Sequence, residues 1–423
     1  MIPARIMYAK VFIFGALLTL SCKSSKEFTG FNYDPPDVTN TVSKQVELQP
    51  KRVIGTGTPK VWVSNEFKGA RLNDFIQISD HLFQVNISPE LAPINNSPWY
   101  AFKIWSDEPQ NIELILNYKE ARHRYHPKIS HDGTKWSLMD SALISVDTTT
   151  GNTTFSLAIS QDTTWISAQE LETTTHFEEW LTQLAQKPFI DIKDIGYSHF
   201  GAPIKEVQIN HIHQDSSKKV LLVLGRQHPP EIPGFKTTLY FLEELAGSQE
   251  IAIEFRKKYV VLAYPMMNPD GSDNGHWRYN AGGVDLNRDW VNFNQPETRA
   301  VRDAVNTFMK DPSTDLIYGV DFHSTDENIF YPILPELPRP KGDITYPWIN
   351  DIKSAFPNTL MVIEAFDTSS PISKNWIYKT FGADALTYEV NDSIKRDDLE
   401  KIARYAARSL MKKLLENDGK KTN

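Results

Sequence analysis

At 423 residues with a 40% hydrophobic share, the chain is long enough for two domains, each with a real core. Its formal net charge of −8 is spread out, and the only basic cluster is the short one from Lys412 to Lys421, which argues against nucleic acid as a partner. A single cysteine, Cys22, excludes internal disulfides and Cys-rich zinc knuckles, so any metal must be held by histidine and carboxylate.

Arg5 and Lys10 precede the apolar run Val11 to Leu20, and Ser21-Cys22 follows. The run is too short to span a bilayer as a helix and suits the apolar region of an export signal. It resembles a bacterial lipoprotein signal whose cysteine becomes the lipidated first residue, with Thr19 and Leu20 in inverted order. The expectation is an exported protein, periplasmic or anchored to the outer membrane through a lipid on Cys22, with residues 1–22 as the signal. Residues 23–51, polar and turn-rich with Asp34-Pro35-Pro36, read as a tether.

Residues 52–172 change character. Val61-Trp62-Val63, Phe83 to Ile87, Trp99 to Trp105 and Ile112 to Leu116 are short segments separated by Asn, Pro, Asp and Gly turns. Period-two runs at this spacing indicate an antiparallel β-sandwich. Asp132-Gly133 suits a hairpin turn ahead of Trp136. Trp99 and Trp105 fall on one face of a strand and read as core, with a carbohydrate platform as the alternative.

Residues 173–418 form the second domain. His176 to Lys187 has Phe177, Trp180, Leu181 and Leu184 on one helical face. Ile195 to Gly201 reads as a turn between edge strands, and Ile204 to Ile209 as a strand. The apolar runs Val220 to Leu224, Tyr259 to Tyr264 and Leu316 to Phe322, with the shorter Leu386 to Val390, alternate with helices at Phe235 to Leu245, Pro296 to Met309 and Arg396 to Leu415. This alternation indicates an α/β fold with a doubly wound sheet, whose strand ends build a site at one edge.

The chemistry-bearing residues gather at those strand ends. His228 and Glu231, three apart on a strand-to-helix turn stiffened by Pro229 and Pro230, are spaced to converge on one ion. His-x-x-Glu is weak alone. His323, at the end of another strand, completes a candidate open site of two imidazoles and one carboxylate, the ligand set of a zinc hydrolase. His211-x-His213 points away from that edge and reads as surface, and Gly282-Gly283 as a turn.

His228-Pro-Pro-Glu231, Asn268-Pro-Asp-Gly271, Trp277-Arg278, Gly283-Val-Asp-Leu-Asn-Arg-Asp-Trp290, His323-Ser324 and Thr387-Tyr-Glu389 together resemble, in order and spacing, the motifs of the zinc carboxypeptidases of the carboxypeptidase A type (M14). The resemblance runs from about His176 to Leu415. The β-rich region around Asp132-Gly133 is similar to the leading domain of the cytosolic, deglutamylating branch and its bacterial relatives, and His-Pro-Pro-Glu is closer to that branch's His-Pro-Gly-Glu than to the pancreatic motif.

The resemblance implies a mixed sheet of the zinc-carboxypeptidase type and one zinc ion per chain, held by His228, Glu231 and His323. It implies Glu389 as general base, Arg278 as the group facing the developing oxyanion, and Asn287 and Arg288 as the grip on the substrate's terminal carboxylate. Asp285 is expected to hold the free ring nitrogen of His228. The family's active-site tyrosine falls near Phe366 and Asp367, where there is none, leaving Tyr378 and Tyr346 as substitutes. Lys374 falls at the floor of the specificity pocket, on a loop, where a cation would favour an acidic C-terminal residue. The expected activity is removal of C-terminal residues from a peptide substrate by a monomer. The alternatives are an amidase of cell-wall stem peptides and a catalytically silent peptide- or glycan-binding protein.

Overall fold

The computed structural model describes residues 40–211, 218–365 and 368–421. The export signal with Cys22, most of the expected tether, His213, Phe366 and Asp367 lie outside the described residues.

The leading unit is built from two sheets. One holds β1 (Val53–Thr56), β2 (Val61–Ser64), β5 (Ala101–Ser106), β7 (Lys128–Ser130), β8 (Ser137–Leu138) and β11 (Thr164–Ser167). The other holds β3 (Asp74–Ser79), β4 (Leu82–Ile87), β6 (Gln110–Tyr118), β9 (Ile144–Val146) and β10 (Thr153–Ile159). Alternate residues of both sheets, among them Val61, Val63, Phe83, Val85, Phe102, Ile104, Leu114 and Phe155, share one core, as a sandwich requires.

Two details depart from the sequence reading. β4 and β6 pair in parallel, because the chain crosses to the other sheet as β5 before returning. Trp105 faces outward and stacks on Trp62 at 6.4 Å, while Phe102 and Ile104 face the core; Trp99 is buried but precedes the strand, so the two tryptophans do not share a face.

The second unit is one eight-stranded mixed sheet in the order β12-β13-β15-β14-β16-β19-β17-β18. Its strands are β12 (Ile190–Tyr197), β13 (Pro203–Ile209), β14 (Lys218–Gly225), β15 (Tyr259–Tyr264), β16 (Thr314–Thr325), β17 (Ile329–Pro332), β18 (Val362–Ile363) and β19 (Asp384–Asn391). The four central strands, β15, β14, β16 and β19, run parallel. Strand alternation sends Leu221, Val223 and Val261 to one face, and Val220, Leu222 and Leu262 to the other. The first face is covered by α1 (Thr174–Leu184), α2 (Ile232–Leu245), α3 (Glu250–Arg256), α6 (Thr345–Ala355) and α8 (Arg396–Lys421). The second is covered by α5 (Pro296–Phe308) and α7 (Ser373–Phe381). Continuous apolar runs are what burial on both faces demands. The short α4 (Pro269–Asn274) starts where Asn268 caps the Gly271 N–H.

The two units are closely joined. Trp277 and Ile232, both from the second unit, belong to the sandwich core. Arg124 of the sandwich pairs with Asp392 at 2.7 Å. Residues 40–51, the end of the expected tether, are fastened across this junction: the Lys44 N–H donates to Gly282 O at 2.7 Å, and Gln295 Nε2 to Thr41 O at 2.6 Å. Polar side chains and backbone make these contacts, so the stretch has none of the apolar pattern that marks a packed segment.

Candidate active site

β14 ends at Gly225, the chain turns through Arg226 at φ 53°, and His228 and Glu231 follow before α2. Pro233, in the first turn of α2, occupies a position that has no helical N–H partner to lose. α2 is aimed at the strand that carries His323. A Cβ at Gly234 would lie 2.5 Å from His323 O, and the Gly234 N–H donates to Ser324 Oγ at 2.6 Å. Only glycine permits this approach.

The three expected ligands converge. His228 Nδ1 and His323 Nδ1 are 3.2 Å apart, and Glu231 presents Oε1 to the first at 2.7 Å and Oε2 to the second at 2.8 Å. Among the described residues this is the one group of histidine, cysteine and carboxylates gathered tightly enough to hold an ion. Each ring is fixed from behind: His228 Nε2 donates to Asp285 Oδ1 at 2.8 Å, and His323 Nε2 to Asp321 Oδ2 at 2.9 Å. Those carboxylates place the ring protons on Nε2 and turn both Nδ1 lone pairs toward the same point.

The donor set fits zinc. Two nitrogens each about 2.05 Å from a tetrahedral zinc stand about 3.3 Å apart, close to the spacing here. The electrostatics favour a cation. Burial alone would raise Glu231 and lower both imidazoles; instead the imidazoles hold Glu231 well below the usual carboxylate range, and the facing carboxylates push His228 and His323 up.

Glu389 lies beside His323 because β16 and β19 pair in parallel with these two residues in register. Burial, and then the Glu231 charge, push its carboxyl up to about 7. Its Oε2 is buried with no hydrogen-bond partner among the described residues. The Arg278 guanidinium is anchored by Nε to Asp285 Oδ2 at 2.7 Å. Asn287 sets Nδ2 3.3 Å from His323 Nε2, and Arg288 donates from Nη1 to Asn287 O at 2.9 Å. His228, Glu231, Arg278, Asn287, Arg288, His323 and Glu389 all line one cavity. Asp285 stands behind it, with one oxygen for His228 and the other for Arg278.

Lys374 does not stand on a loop at the cavity floor. It occupies the first turn of α7, fully buried, and its ammonium donates to Pro332 O at 3.0 Å. Neither suggested tyrosine reaches the cavity: Tyr378 donates to Pro338 O and Tyr346 to Ile333 O. Tyr331 of β17 lines it instead.

Asp321 was also missed, although its signal is local: residues 321 and 323 of a strand share a face. Its Oδ2 receives Gln227 Nε2 at 2.6 Å and the Ser373 hydroxyl as well as His323. Asn95, Ser97 and Arg124 of the sandwich complete the cavity wall, and no local pattern announces them.

The mixed sheet and the donor set together make an α/β fold able to hold a zinc ion, and the chain belongs to the zinc carboxypeptidase family, whose model matches residues 177–415. Among curated proteins it is 28% identical over 163 residues to mouse cytosolic carboxypeptidase 6, covering 36% of this chain and 30% of that protein. Mouse cytosolic carboxypeptidase 3 is 21% identical over 294 residues, covering 62% of this chain and 29% of that protein. The chain thus spans under a third of the length of these relatives. A metallo-carboxypeptidase from Burkholderia cenocepacia superposes with a TM-score of 0.71 at 18% identity, covering 85% of this chain and 99% of that one. That coverage exceeds what residues 177–415 account for, so the shared fold includes much of the sandwich.

Proposed function

We propose that the protein is a zinc-dependent metallocarboxypeptidase that hydrolyses C-terminal peptide bonds. The observation that supports this most directly is a single cavity holding the His228–Glu231–His323 donor set, the Glu389 Oε2 that has no hydrogen-bond partner among the described residues, and the arginines Arg278 and Arg288. When bound by those three ligands, zinc supplies a Lewis acid for the attacking water and the scissile carbonyl. Glu389 Oε2 takes the proton from that water and later returns it to the leaving amine. Arg278 offers a permanent charge where the carbonyl oxygen turns negative. Asn287 and Arg288 receive the terminal carboxylate, which confines cutting to chain ends.

A preference for acidic C-terminal residues is the finer part of the reading. Its support is the positive charge of Arg124, Arg278 and Arg288 on the cavity wall. Export and lipid attachment at Cys22 belong to the same proposal.

The experiment is zinc quantification on the purified chain together with digestion of a mixed-sequence peptide library. Stepwise loss from C-termini, fastest after Glu, is the expected result. Absence of zinc, or internal cuts alone, would overturn the peptidase reading; equal rates for peptides ending in Glu, Leu and Lys would remove the acidic preference.

A further inference from the structure

Arg278 stands in an irregular stretch between α4 and Asp285, with no helix or strand to fix its backbone. Consecutive buried N–H groups in such a stretch each need an acceptor. One residue supplies all three. Glu90, fully buried in a loop of the sandwich, accepts the Trp277 N–H on Oε2 at 2.8 Å, and the Arg278 and Tyr279 N–H groups on Oε1 at 3.0 and 2.8 Å.

Further contacts from the sandwich hold the same stretch. Trp277 Nε1 donates to Trp99 O at 3.0 Å, the Tyr279 hydroxyl donates to Pro93 O at 2.8 Å, and the Trp277 ring is part of the sandwich core. Glu90 is itself tied to the stretch 40–51, because its carbonyl accepts the Glu47 N–H at 2.7 Å. A carboxylate on three successive N–H groups is a charge-assisted clamp, stronger than neutral hydrogen bonds of the same geometry.

We infer that Glu90 is a positioning residue for Arg278. The leading sandwich sets the backbone from which the guanidinium meets the developing oxyanion, and so takes part in catalysis without touching substrate. This rests on the peptidase reading above. Asp285 fixes the guanidinium at its tip, and Glu90 fixes the main chain at its root. Neither alone determines where the charge sits, and an error on the order of 1 Å at such a group costs on the order of 100-fold in rate.

The test is Glu90→Gln in the full chain, in wild-type and Arg278→Ala backgrounds. The carboxamide keeps an acceptor for two of the N–H groups and turns an NH2 group toward the third. In the wild-type background kcat should fall about 10- to 100-fold, with zinc content and KM little changed. Affinity for a peptide phosphonate that imitates the tetrahedral oxyanion should fall by the same factor. In the Arg278→Ala background the substitution should cost nothing further, a non-additivity that a general loss of stability would not produce.

Wild-type kinetics for Glu90→Gln, or the full loss persisting without Arg278, overturns the inference. Should Glu90→Gln fail to fold, Glu90→Asp, which keeps the charge on a shorter side chain, runs through the same cycle and should show a loss of the same pattern; an additive loss, or none, overturns the inference. A wild-type chain that neither cleaves peptides nor binds the phosphonate instead refutes the peptidase reading. In that case, faster amide exchange at 277–279 in Glu90→Gln still reports the clamp.

Discussion

The sandwich and the sheet unit use strands for opposite ends. In the sandwich, two sheets enclose one core and the strand ends are merely turns; its contributions at the junction, Glu90, Asn95, Ser97 and Arg124, come from the loops between strands. In the sheet unit both faces of one sheet are buried, and the carboxyl ends of β14, β16 and β19 carry or lead to the proposed zinc ligands and Glu389. One unit sets its candidate groups at or just beyond strand ends, and the other contributes loops to the cavity wall and to the backbone behind Arg278. Damage to the first should therefore remove chemistry while leaving the fold, and damage to the second should loosen the fold or the alignment.

The sharpest test of that contrast is Glu389→Gln. Loss of a general base should reduce kcat by about 10²- to 10⁴-fold with zinc content and melting temperature unchanged; a large drop in Tm would put Glu389 among the structural groups.

On the other side, Arg124→Met strips a nearly buried partner from Asp392, whose side chain is only 7% exposed. Breaking such a pair costs about 3–5 kcal/mol. Burial already pushes Asp392 up to about 6 despite the arginine. Because the folded value exceeds the unfolded one, this group favours folding at low pH and loses that contribution as pH rises through about 6. Removing Arg124 raises the carboxyl further, so urea titrations should show the penalty largest at pH 8 and shrinking toward pH 5, where Asp392 takes a proton. A pH-independent penalty would show that the charge pair is not what joins the units.

Asp321→Asn tests the sheet unit again, one step back from the ion. Zinc affinity should fall about 10- to 100-fold, with the fold intact, as read by competition with a chelator. In the wild type, the raised imidazoles mean that zinc must displace protons, so apparent affinity should decline as pH falls. Unchanged affinity from pH 8 to pH 6 would contradict the electrostatic account of the site.

The smallest effect expected is that of Gly234→Ala. The added methyl meets the His323 carbonyl, an overpacking worth about 1–3 kcal/mol, and thermal unfolding together with zinc affinity should both register the shifted strand.

Much of this architecture was legible in the sequence. The runs at Val220, Tyr259 and Leu316 are fully buried strands, and Phe177, Leu181 and Leu184 do line one face of α1. Such patterns are local consequences of burial. α7 was illegible because its burial comes from packing between β17, β19 and the Asn287 loop, so its polar residues Ser373, Lys374 and Asn375 are as buried as its apolar ones. That same burial removes Lys374 from the cavity floor. Glu90 and Arg124 act across 187 to 268 positions of sequence, and a carboxylate satisfied by distant backbone leaves no periodic trace.

Asp285 carries one more consequence. Its two oxygens are divided between the ring of His228 and the guanidinium of Arg278. Under the proposed function, the group that orients a zinc ligand and the group that anchors the oxyanion partner are therefore the same carboxylate. A substitution that alters its charge should therefore retune both at once, so metal hold and transition-state affinity are expected to shift together at position 285.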